Sequence, residues 1–362
     1  MHSFKKITFI APYSDNIAPS QRFRFEQYFD ALKEKGFRFT YFGFIPNKKN
    51  RGLYTHKDSL STLLIICIGF FRRIIQLYSI SQSDFVFIHR ECAPIAPPFF
   101  EWIIKNIFQK KIIYDFDDAI WLSDKIDESI FEKFIRQRNK VKTICKWSYK
   151  VSCGNIFLAS YARQFNTNVI VNPTTIDTEN LHNRSPYPNK KKSNQIIIGW
   201  TGSHSTLKYL FEVEEVLYEL EKTFPQVTFA LIADKQLEMK LERYDFMKWS
   251  RETEAYDLSK IDIGIMPLPD DEWSKGKCGF KALQYMAMSI PCVASPIGVN
   301  TTIIDHGING FLASKKEEWL FYLTQLITNE HMRLTFGLEG RKKVETCYSV
   351  RSNTDNFLKL FT

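Results

Sequence analysis

The segment spanning residues 261–311 constrains the fold of this chain more than any other part of its sequence. It contains an apolar run, a polar loop with two lysines, a short helical stretch, a second apolar run and a return marked by glycines. Apolar runs of this length, joined by a helix, predict parallel strands of an open α/β sheet. Because such sheets bind ligands beyond the carboxyl ends of their strands, the segment also predicts where a binding site lies.

The same alternation of apolar runs and helical stretches extends over the whole chain. In the first half a helix is expected over residues 19–35, and strands over residues 7–12, 37–42, 85–89, 111–116 and 169–173. In the second half the runs QIIIGW, VTFALIA, IDIGIMPL and PCVAS repeat the plan. This pattern predicts an α/β protein with two doubly wound Rossmann-like domains that face each other across a ligand cleft.

The domain boundaries follow from length and from one biased stretch. At 362 residues the chain is too long for one ordinary hydrophobic core. The stretch SPYPNKKKSN, rich in proline, lysine and asparagine, indicates a linker. We therefore expect an N-terminal domain over residues 1–185, a linker over 186–194 and a C-terminal domain over 195–349.

Cysteine usage and hydropathy indicate a cytoplasmic protein. The seven cysteines are scattered and never form a C-x-x-C pair, which favours a reduced compartment. The N-terminal apolar run is too short for a secretory signal. We also expect no membrane-spanning helix, because the best candidate, residues 60–71, is shorter than the roughly 18–20 apolar residues required.

Charge is unevenly distributed along the chain. Residues 1–200 hold 30 of the 49 Lys and Arg residues and 17 of the 40 Asp and Glu residues, a formal charge of +13, whereas residues 201–362 carry −4. The basic half also contains two apolar and basic stretches, residues 60–80 and 97–111. These predict either interfacial contact with an anionic membrane or core packing with a basic edge. No nucleic-acid recognition motif is present, so nucleic acid is not an expected partner.

The strand-to-loop transition after QIIIGW is a candidate phosphate site. Gly202 allows the backbone to approach a ligand, while Ser203 and Thr206 offer hydroxyl groups at a helix N-terminus. The exposed N–H groups and the dipole of a helix N-terminus favour phosphate. A strand-to-helix turn with a Ser/Thr cap explains the same residues equally well.

Lysines in the 261–311 segment are candidates for binding a diphosphate. Lys277 and Lys281 flank the start of the short helix, and Gly298 suits a tight turn near a ligand. Fixed cations stabilise the negative charge that develops on a leaving diphosphate. A solvated basic loop is the alternative interpretation of the lysines.

The N-terminal half offers two charged clusters. Asp115, Asp117 and Asp118 stand at the end of an apolar strand, and the D-x-D spacing of the first two is typical of a divalent-metal site. Arg22 and Arg24 stand at a helix start, where cations are locally unfavourable, which favours an anionic ligand. Solvated arginines paired with Glu26 are the alternative.

Residues 261–311, and above all QYMAMSIPCVAS, resemble the donor-sugar half of GT-B glycosyltransferases, most closely those of family 4. That family has a Glu-x7-Glu signature; Gln284 occupies the place of its second glutamate, which binds the nucleotide ribose, and Gly276 the place of the first. Trp200 stands where the family has an arginine. The stretch DFVFIHRECAP resembles the loop that carries the family's active-site histidine, so His89 is the matching catalytic candidate.

The resemblance implies a retaining transfer of a sugar from a nucleotide-sugar donor, without a metal or other cofactor. Together with the residue patterns above, it leads us to expect Gly202, Ser203, Thr206, Lys277, Lys281, Gln284 and Gly298 in the donor site. The charged residues Arg22, Arg24, Arg90, Asp117 and Asp118 are expected on the acceptor side because of their own chemistry. It also implies a terminal helix, residues 350–362, that packs back on the first domain.

We therefore expect a glycosyltransferase that lies at the inner face of the cell membrane and acts on a lipid-linked glycan in surface polysaccharide synthesis. Two alternatives stay open. Gly276 and Gln284, where glutamates are expected, favour a catalytically silent binding protein. The D-x-D motif favours a metal-dependent GT-A transferase that uses Asp115 and Asp117.

Overall fold

The computed structural model describes residues 4–45, 59–123, 129, 135–183 and 194–362. The chain forms two compact units. Unit 1 consists of Met1–Thr174 and Asn353–Thr362, and unit 2 of Thr175–Ser352.

Unit 1 is built on a six-stranded parallel sheet. Its strands are β1 (Lys6–Ala11), β2 (Arg38–Gly43), β3 (Phe85–His89), β4 (Lys111–Phe116), β5 (Lys150–Cys153) and β6 (Val169–Val171). They are arranged in the order β2-β1-β3-β4-β5-β6. Strand β3 is buried along its whole length, and β1 and β4 are buried beyond their first residues. Strands covered on both faces have continuous apolar sequences, which is why these three match the predicted runs.

Helices flank the sheet of unit 1. They are α1 (Pro19–Arg22), α2 (Phe29–Glu34), α3 (Ser59–Ser81), α4 (Phe99–Trp102), α5 (Lys140–Trp147) and α6 (Ile156–Arg163), and a π-helical stretch, Ile103–Ile107, continues α4. The single helix predicted over residues 19–35 is wrong, because a 3-10 turn, Glu26–Tyr28, separates α1 from α2. Phe25 leaves the helical region with φ −141°. Its ring stacks on Phe9 of β1 at 5.3 Å, so core packing overrides the local helical pattern.

Unit 2 contains a second six-stranded parallel sheet. Its strands are β7 (Ile196–Gly202), β8 (Val227–Ala233), β9 (Tyr244–Lys248), β10 (Ile263–Met266), β11 (Cys292–Ala294) and β12 (Gly310–Leu312). They are arranged in the order β12-β11-β10-β7-β8-β9. This is the order of a doubly wound nucleotide-binding domain, in which successive strands are added first on one side of β7 and then on its other side. The predicted fold class of two Rossmann-like domains is confirmed.

Helices also flank the second sheet. They are α7 (Glu214–Thr223), α8 (Glu254–Leu258), α9 (Glu272–Lys275), α10 (Phe280–Ala287), α11 (Asn300–Ile303), α12 (Lys316–Thr328) and α13 (Glu330–Lys343), and a 3-10 helix, His204–Glu212, follows β7. Helix α14 (Val350–Leu358) begins in unit 2, and its residues from Asn353 onward belong to unit 1. Leu217 and Leu220 of α7 and Trp319 of α12 belong to one buried apolar core beneath the sheet. This packing holds the loops at the carboxyl ends of the strands on a rigid base.

The two units divide the chain earlier than the linker motif indicates. Residues 175–183 belong to unit 2, where Ile176 N–H donates to the Tyr348 carbonyl at 2.8 Å and Val350 N–H to the Ile176 carbonyl at 3.1 Å. Of the expected linker, only Asn194 lies among the described residues. The last ten residues belong to unit 1, where Phe357 stacks on Tyr28 at 4.3 Å.

Helix α3 is longer than the sequence pattern suggests. Its Thr62–Ser81 stretch of 20 residues is long and apolar enough to cross a membrane, by length and composition alone. The expectation of no such stretch is therefore wrong, because the helix continues through Arg72 and Arg73 rather than ending before them. Arg73 is buried against unit 1, so it does not interrupt the helix.

Candidate functional site

The strand order of unit 2 places a ligand crevice at the carboxyl ends of β7 and β10. From β7 the chain continues to β8 on one side, and the next half of the sheet begins with β10 on the other side. Ligands of open α/β sheets bind at this switch point. Gly202 is the last residue of β7, and the loop after β10 leads through α9 to the start of α10.

Gly202 and Lys281 meet at this point. A Cβ atom at Gly202 would lie 2.3 Å from Cη2 of Trp200 and 2.9 Å from Cε of Lys281. The Lys281 ammonium lies 5.0 Å from the centroid of the Trp200 ring. The end of β7 and the first turn of α10 are therefore in direct contact, with a cation held between them.

The N-terminus of α10 adds fixed positive potential. Gly279 caps the helix with φ +68°, and a Cβ atom there would lie 2.2 Å from Ile303. Gly298 has φ +54°, and a Cβ atom there would lie 2.8 Å from the Lys275 carbonyl. Because neither site accommodates a side chain, the loops on both sides of α10 approach each other closely. Helix-terminal N–H groups and Lys281 together form an arrangement suited to an anion.

The other predicted donor residues differ in their surroundings. Lys277 lies 4.8 Å from the ring centroid of Trp273. Ser203 is exposed, and its hydroxyl lies 2.9 Å from that of Ser205. The Thr206 hydroxyl donates to the Ser203 carbonyl at 3.0 Å, so Thr206 acts as a local cap in this structure.

His204 and Asp234 form an ion-pair geometry that the sequence analysis missed. The His204 backbone N–H donates to Asp234 at 2.6 Å, and Nδ1 lies 2.7 Å from the same carboxylate. Asp234 directly follows β8, so its position after an apolar strand was the available signal. Both side chains are exposed at the carboxyl edge of the sheet. His204 follows Gly202 by two residues, and Asp234 follows the strand β8 that pairs with β7.

Gln284 lies inside a buried polar cluster. Its amide donates to Glu254 Oε1 at 2.9 Å and lies 3.3 Å from His182 Nε2. All three residues are buried. Glu254 comes from α8, so this carboxylate was not recognisable from the motif around Gln284. Gly276 ends α9 and supplies no side chain.

In unit 1 the corresponding switch point lies between β1 and β3, and His89 is the last residue of β3. His89 Nδ1 lies 2.8 Å from Asp115 Oδ2, Arg24 pairs with the same carboxylate, and Ser152 donates to it at 2.6 Å. Burial alone would raise the pKa of Asp115, but the charge of Arg24 and the bond to His89 hold that pKa well below its usual range. An ionised Asp115 therefore orients the imidazole.

The far nitrogen of His89 is unused. With Nδ1–H donated to Asp115, Nε2 of a neutral imidazole carries a lone pair. Nε2 is buried and has no hydrogen-bond partner among the residues that the structure describes. The nearest carboxylate oxygen, Asp117 Oδ1, is 3.9 Å away. A buried nitrogen without a partner at a strand end is a candidate ligand contact.

Arg90 links the two remaining aspartates. It donates to Asp117 at 2.8 Å and to Asp118 at 2.7 Å, and its own φ is +63°. A left-handed arginine is locally strained, and strain of this kind is concentrated at functional sites. The three residues form one partly exposed ion-pair cluster beside His89.

This arrangement does not favour the D-x-D metal interpretation. Asp115 is buried and paired with Arg24, while Asp117 and Asp118 are paired with Arg90. Within the described part of the chain, no group of three or more His, Cys, Asp or Glu residues is placed to hold a metal ion. Arg24 supports His89 from the interior, so the alternative of a solvated arginine is wrong for this residue. Arg22 is also buried, with its guanidinium 4.8 Å from the Phe23 ring centroid.

Residues 195–329 match the family model described as Glycosyl transferases group 1. Solved structures resemble the whole chain. Sucrose-phosphate synthase from Thermosynechococcus elongatus has a TM-score of 0.71 at 14% identity, covering 99% of this chain and 98% of that chain. A glycosyltransferase from Rickettsia africae has a TM-score of 0.67 at 13% identity, covering 100% and 98%.

Anabaena HepE, solved in complex with UDP-glucose, has a TM-score of 0.66 at 15% identity, covering 98% of this chain and 99% of that chain. No curated protein sequence matches this chain. At these identities the structural likeness establishes the fold, which is GT-B and not the GT-A fold of the metal-dependent alternative. Within that fold, residues 195–329 are similar to the glycosyl transferases group 1 family.

Proposed function

We propose that this chain transfers a sugar from a nucleoside-diphosphate donor to an acceptor hydroxyl. The observation that carries the proposal is the meeting of Gly202, Lys281 and the N-terminus of α10 at the switch point of unit 2. This meeting lies within the residues that match the glycosyltransferase family. A diphosphate is the ligand whose charge such a site complements.

The donor-site residues have distinct roles in this proposal. Lys281 and the N–H groups of α10 bind the diphosphate and stabilise the charge that develops as it leaves. Lys277 adds a second cation, and Gly298 and Gly202 allow close backbone approach. Ser203 and Thr206 border the phosphates, and Gln284 with Glu254 forms the polar wall on which the rest of the nucleotide rests.

We further propose that the transfer retains anomeric configuration and needs no metal. The acceptor oxygen forms its bond to the anomeric carbon on the face from which the diphosphate departs, and a donor phosphate oxygen takes the acceptor proton. Lysine and helix-terminal amides supply the positive charge that a divalent ion supplies elsewhere. Turnover is expected to persist in EDTA.

On the acceptor side, His89 is the proposed catalytic residue. Its Nε2 is oriented by Asp115 and available to a sugar hydroxyl or phosphate oxygen. Arg90, Asp117 and Asp118 are the proposed contacts to acceptor hydroxyls. We propose a lipid-linked glycan in surface polysaccharide synthesis as acceptor, reached at the cytoplasmic face of an anionic membrane, because the N-terminal half is strongly basic.

Titration calorimetry with UDP, UDP-glucose and other nucleotide sugars tests the donor site. Because UDP and UDP-glucose are bound in HepE, they are the first probes. Lys281→Met is expected to weaken binding of the preferred nucleotide about 10- to 100-fold, the value of one charge-assisted hydrogen bond. Lys222→Met removes an exposed lysine at the far end of α7 and should leave affinity unchanged. Equal affinity of wild type and Lys281→Met would contradict the site.

A silent nucleotide-sugar-binding protein is the second candidate. The absence of a side chain at Gly276, together with Gln284 in place of a carboxylate, favours it. Tight donor binding without transfer to a panel of glycan acceptors, and without donor hydrolysis, would support this candidate over the enzyme.

A further inference from the structure

Helix α3 has a buried face and an exposed apolar face that point in opposite directions. At 100° per residue, its buried positions lie on one side and its exposed positions on the other. The buried positions are Ile65, Gly69, Arg73, Gln76 and Ile80, and the exposed ones are Leu63, Leu64, Cys67, Ile68, Phe71, Ile74, Ile75 and Tyr78. A surface helix normally exposes charged and polar residues, yet this exposed face carries no charge.

The buried face is fixed to unit 1 by specific contacts. The Arg73 guanidinium donates to the Cys92 carbonyl at 3.0 Å and to Gln76 at 2.8 Å. A Cβ atom at Gly69 would lie 2.3 Å from the Phe44 ring, so the helix backbone lies directly on that ring. Crossing a bilayer would break these contacts and place Arg73 in hydrocarbon. The helix is therefore suited to lying on a membrane, although it is long enough to span one.

A second helix extends the apolar surface. Phe70 of α3 lies 5.8 Å from Phe100 of α4, and the adjoining residues Phe99 and Trp102 are exposed. The π-helical continuation exposes Ile107 together with Lys105. Trp and Tyr prefer the interface between water and lipid, and lysines beside it attract anionic headgroups.

We propose that the exposed face of α3, defined by the eight residues above, inserts into the interfacial region of an anionic bilayer, with the helix axis in the membrane plane. The membrane contact rests on the proposed function in one respect, namely that a lipid-linked acceptor would be reached at a bilayer surface. Charge favours an anionic bilayer over a second copy of the chain as the partner of this face. Residues 1–200 carry a formal charge of +13, so these residues of two copies would repel each other across a symmetric interface. The face from Leu63 to Tyr78 extends about 22 Å, which suits contact along a surface.

The two exposed cysteines provide matched reporters. Cys67 lies on the proposed face and Cys347 lies in unit 2, while the other five cysteines are buried or half-buried. An environment-sensitive dye is attached to Cys67 in Cys347→Ser and to Cys347 in Cys67→Ser. With phosphatidylglycerol vesicles the Cys67 dye is expected to shift to shorter wavelength, and the Cys347 dye to stay unchanged. No shift at Cys67 would overturn the proposal.

Variants test which residues bind. Phe71→Ser combined with Ile75→Ser removes two side chains that are each about 60% exposed, and should lower vesicle partitioning about 30-fold or more. Leu334→Ser with Leu338→Ser removes comparably exposed leucines from α13 and should have no effect. Lys105→Glu should lower partitioning about tenfold in low salt.

Two further outcomes would also overturn the proposal. A dimer in sedimentation that Phe71→Ser dissociates, without vesicle binding, would show that a second copy covers the face. Resistance to carbonate extraction from vesicles would show that the helix spans the bilayer. UDP affinity is measured on the same variants, so loss of vesicle binding with intact nucleotide binding separates this inference from the proposed transfer reaction.

Discussion

Glu26 is expected to make unit 1 less stable as pH rises through neutrality. Its carboxylate is buried, accepts the Asn16 N–H at 2.8 Å and lies 3.3 Å from the Gln21 amide. Burial raises its pKa from 4.5 to about 7, outweighing the opposing hydrogen bonds from Asn16 and Gln21. Since Asn16 belongs to the loop after β1, the titration acts at the switch point of unit 1.

The sign and size follow from linkage. A carboxyl whose pKa is raised in the folded state favours folding below its unfolded pKa, and that contribution is lost as pH rises through the folded pKa. For values of 4.5 and about 7, the loss between pH 5 and pH 8 is about 2.5 kcal/mol. Glu26→Gln does not titrate, so its stability relative to wild type should increase by that amount over the same interval.

Urea denaturation of both proteins at pH 5 and pH 8 measures the free energy of unfolding. Native-state hydrogen exchange of the β1 amides at the same pH values then assigns the difference to unit 1. Comparing variant with wild type at each pH cancels the intrinsic pH dependence of exchange. Glu34→Gln removes the same charge from an exposed position of α2 and serves as control. A Glu26→Gln effect that is equal at both pH values, within about 0.5 kcal/mol, would refute the reasoning.

Two substitutions test the site geometry. Asp115→Asn removes the charged partner of buried Arg24 and should lower the free energy of unfolding by about 3–5 kcal/mol in urea denaturation. Asp117→Asn acts at a partly exposed ion pair and should cost less than half as much. Equal costs for the two variants would argue against Asp115 as the support of His89. The added methyl group of Gly202→Ala would clash with Trp200 and Lys281, so this variant should cost unit 2 about 1–3 kcal/mol in thermal unfolding and weaken UDP binding. Lys222→Met, at the far end of α7, should do neither.

Much of the fold could be predicted because buried parallel strands have continuous apolar sequences. β3 and β4 begin and end at the predicted residues. β9 escaped prediction because it is an edge strand, half-exposed, with Asp245 and Lys248 among its five residues. β5 has only four residues, of which Val151 is the one strongly apolar residue, so it is too short to give a periodic signal.

The candidate site could be predicted only where its parts are close in sequence or follow recognisable strands. Gly202 and Lys281 each flank a strand or helix boundary, so both stood out. The pairing of Arg24 with Asp115 joins residues 91 apart, and that of Gln284 with Glu254 joins residues 30 apart on different helices. Such pairs depend on how elements pack, which residue patterns within one segment do not encode.

The two places where the polypeptide passes between the units are neighbours. Ile176 is bonded to the backbone of Tyr348 and Val350, and Asn356 donates to the Val171 carbonyl at 3.0 Å. Unit 2 is thus an insertion whose ends nearly touch, the arrangement that tolerates excision and re-fusion best. A gene fragment encoding residues 175–352 would start and finish side by side, and a few glycines could close the gap that it leaves. Each unit is therefore open to independent exchange by recombination.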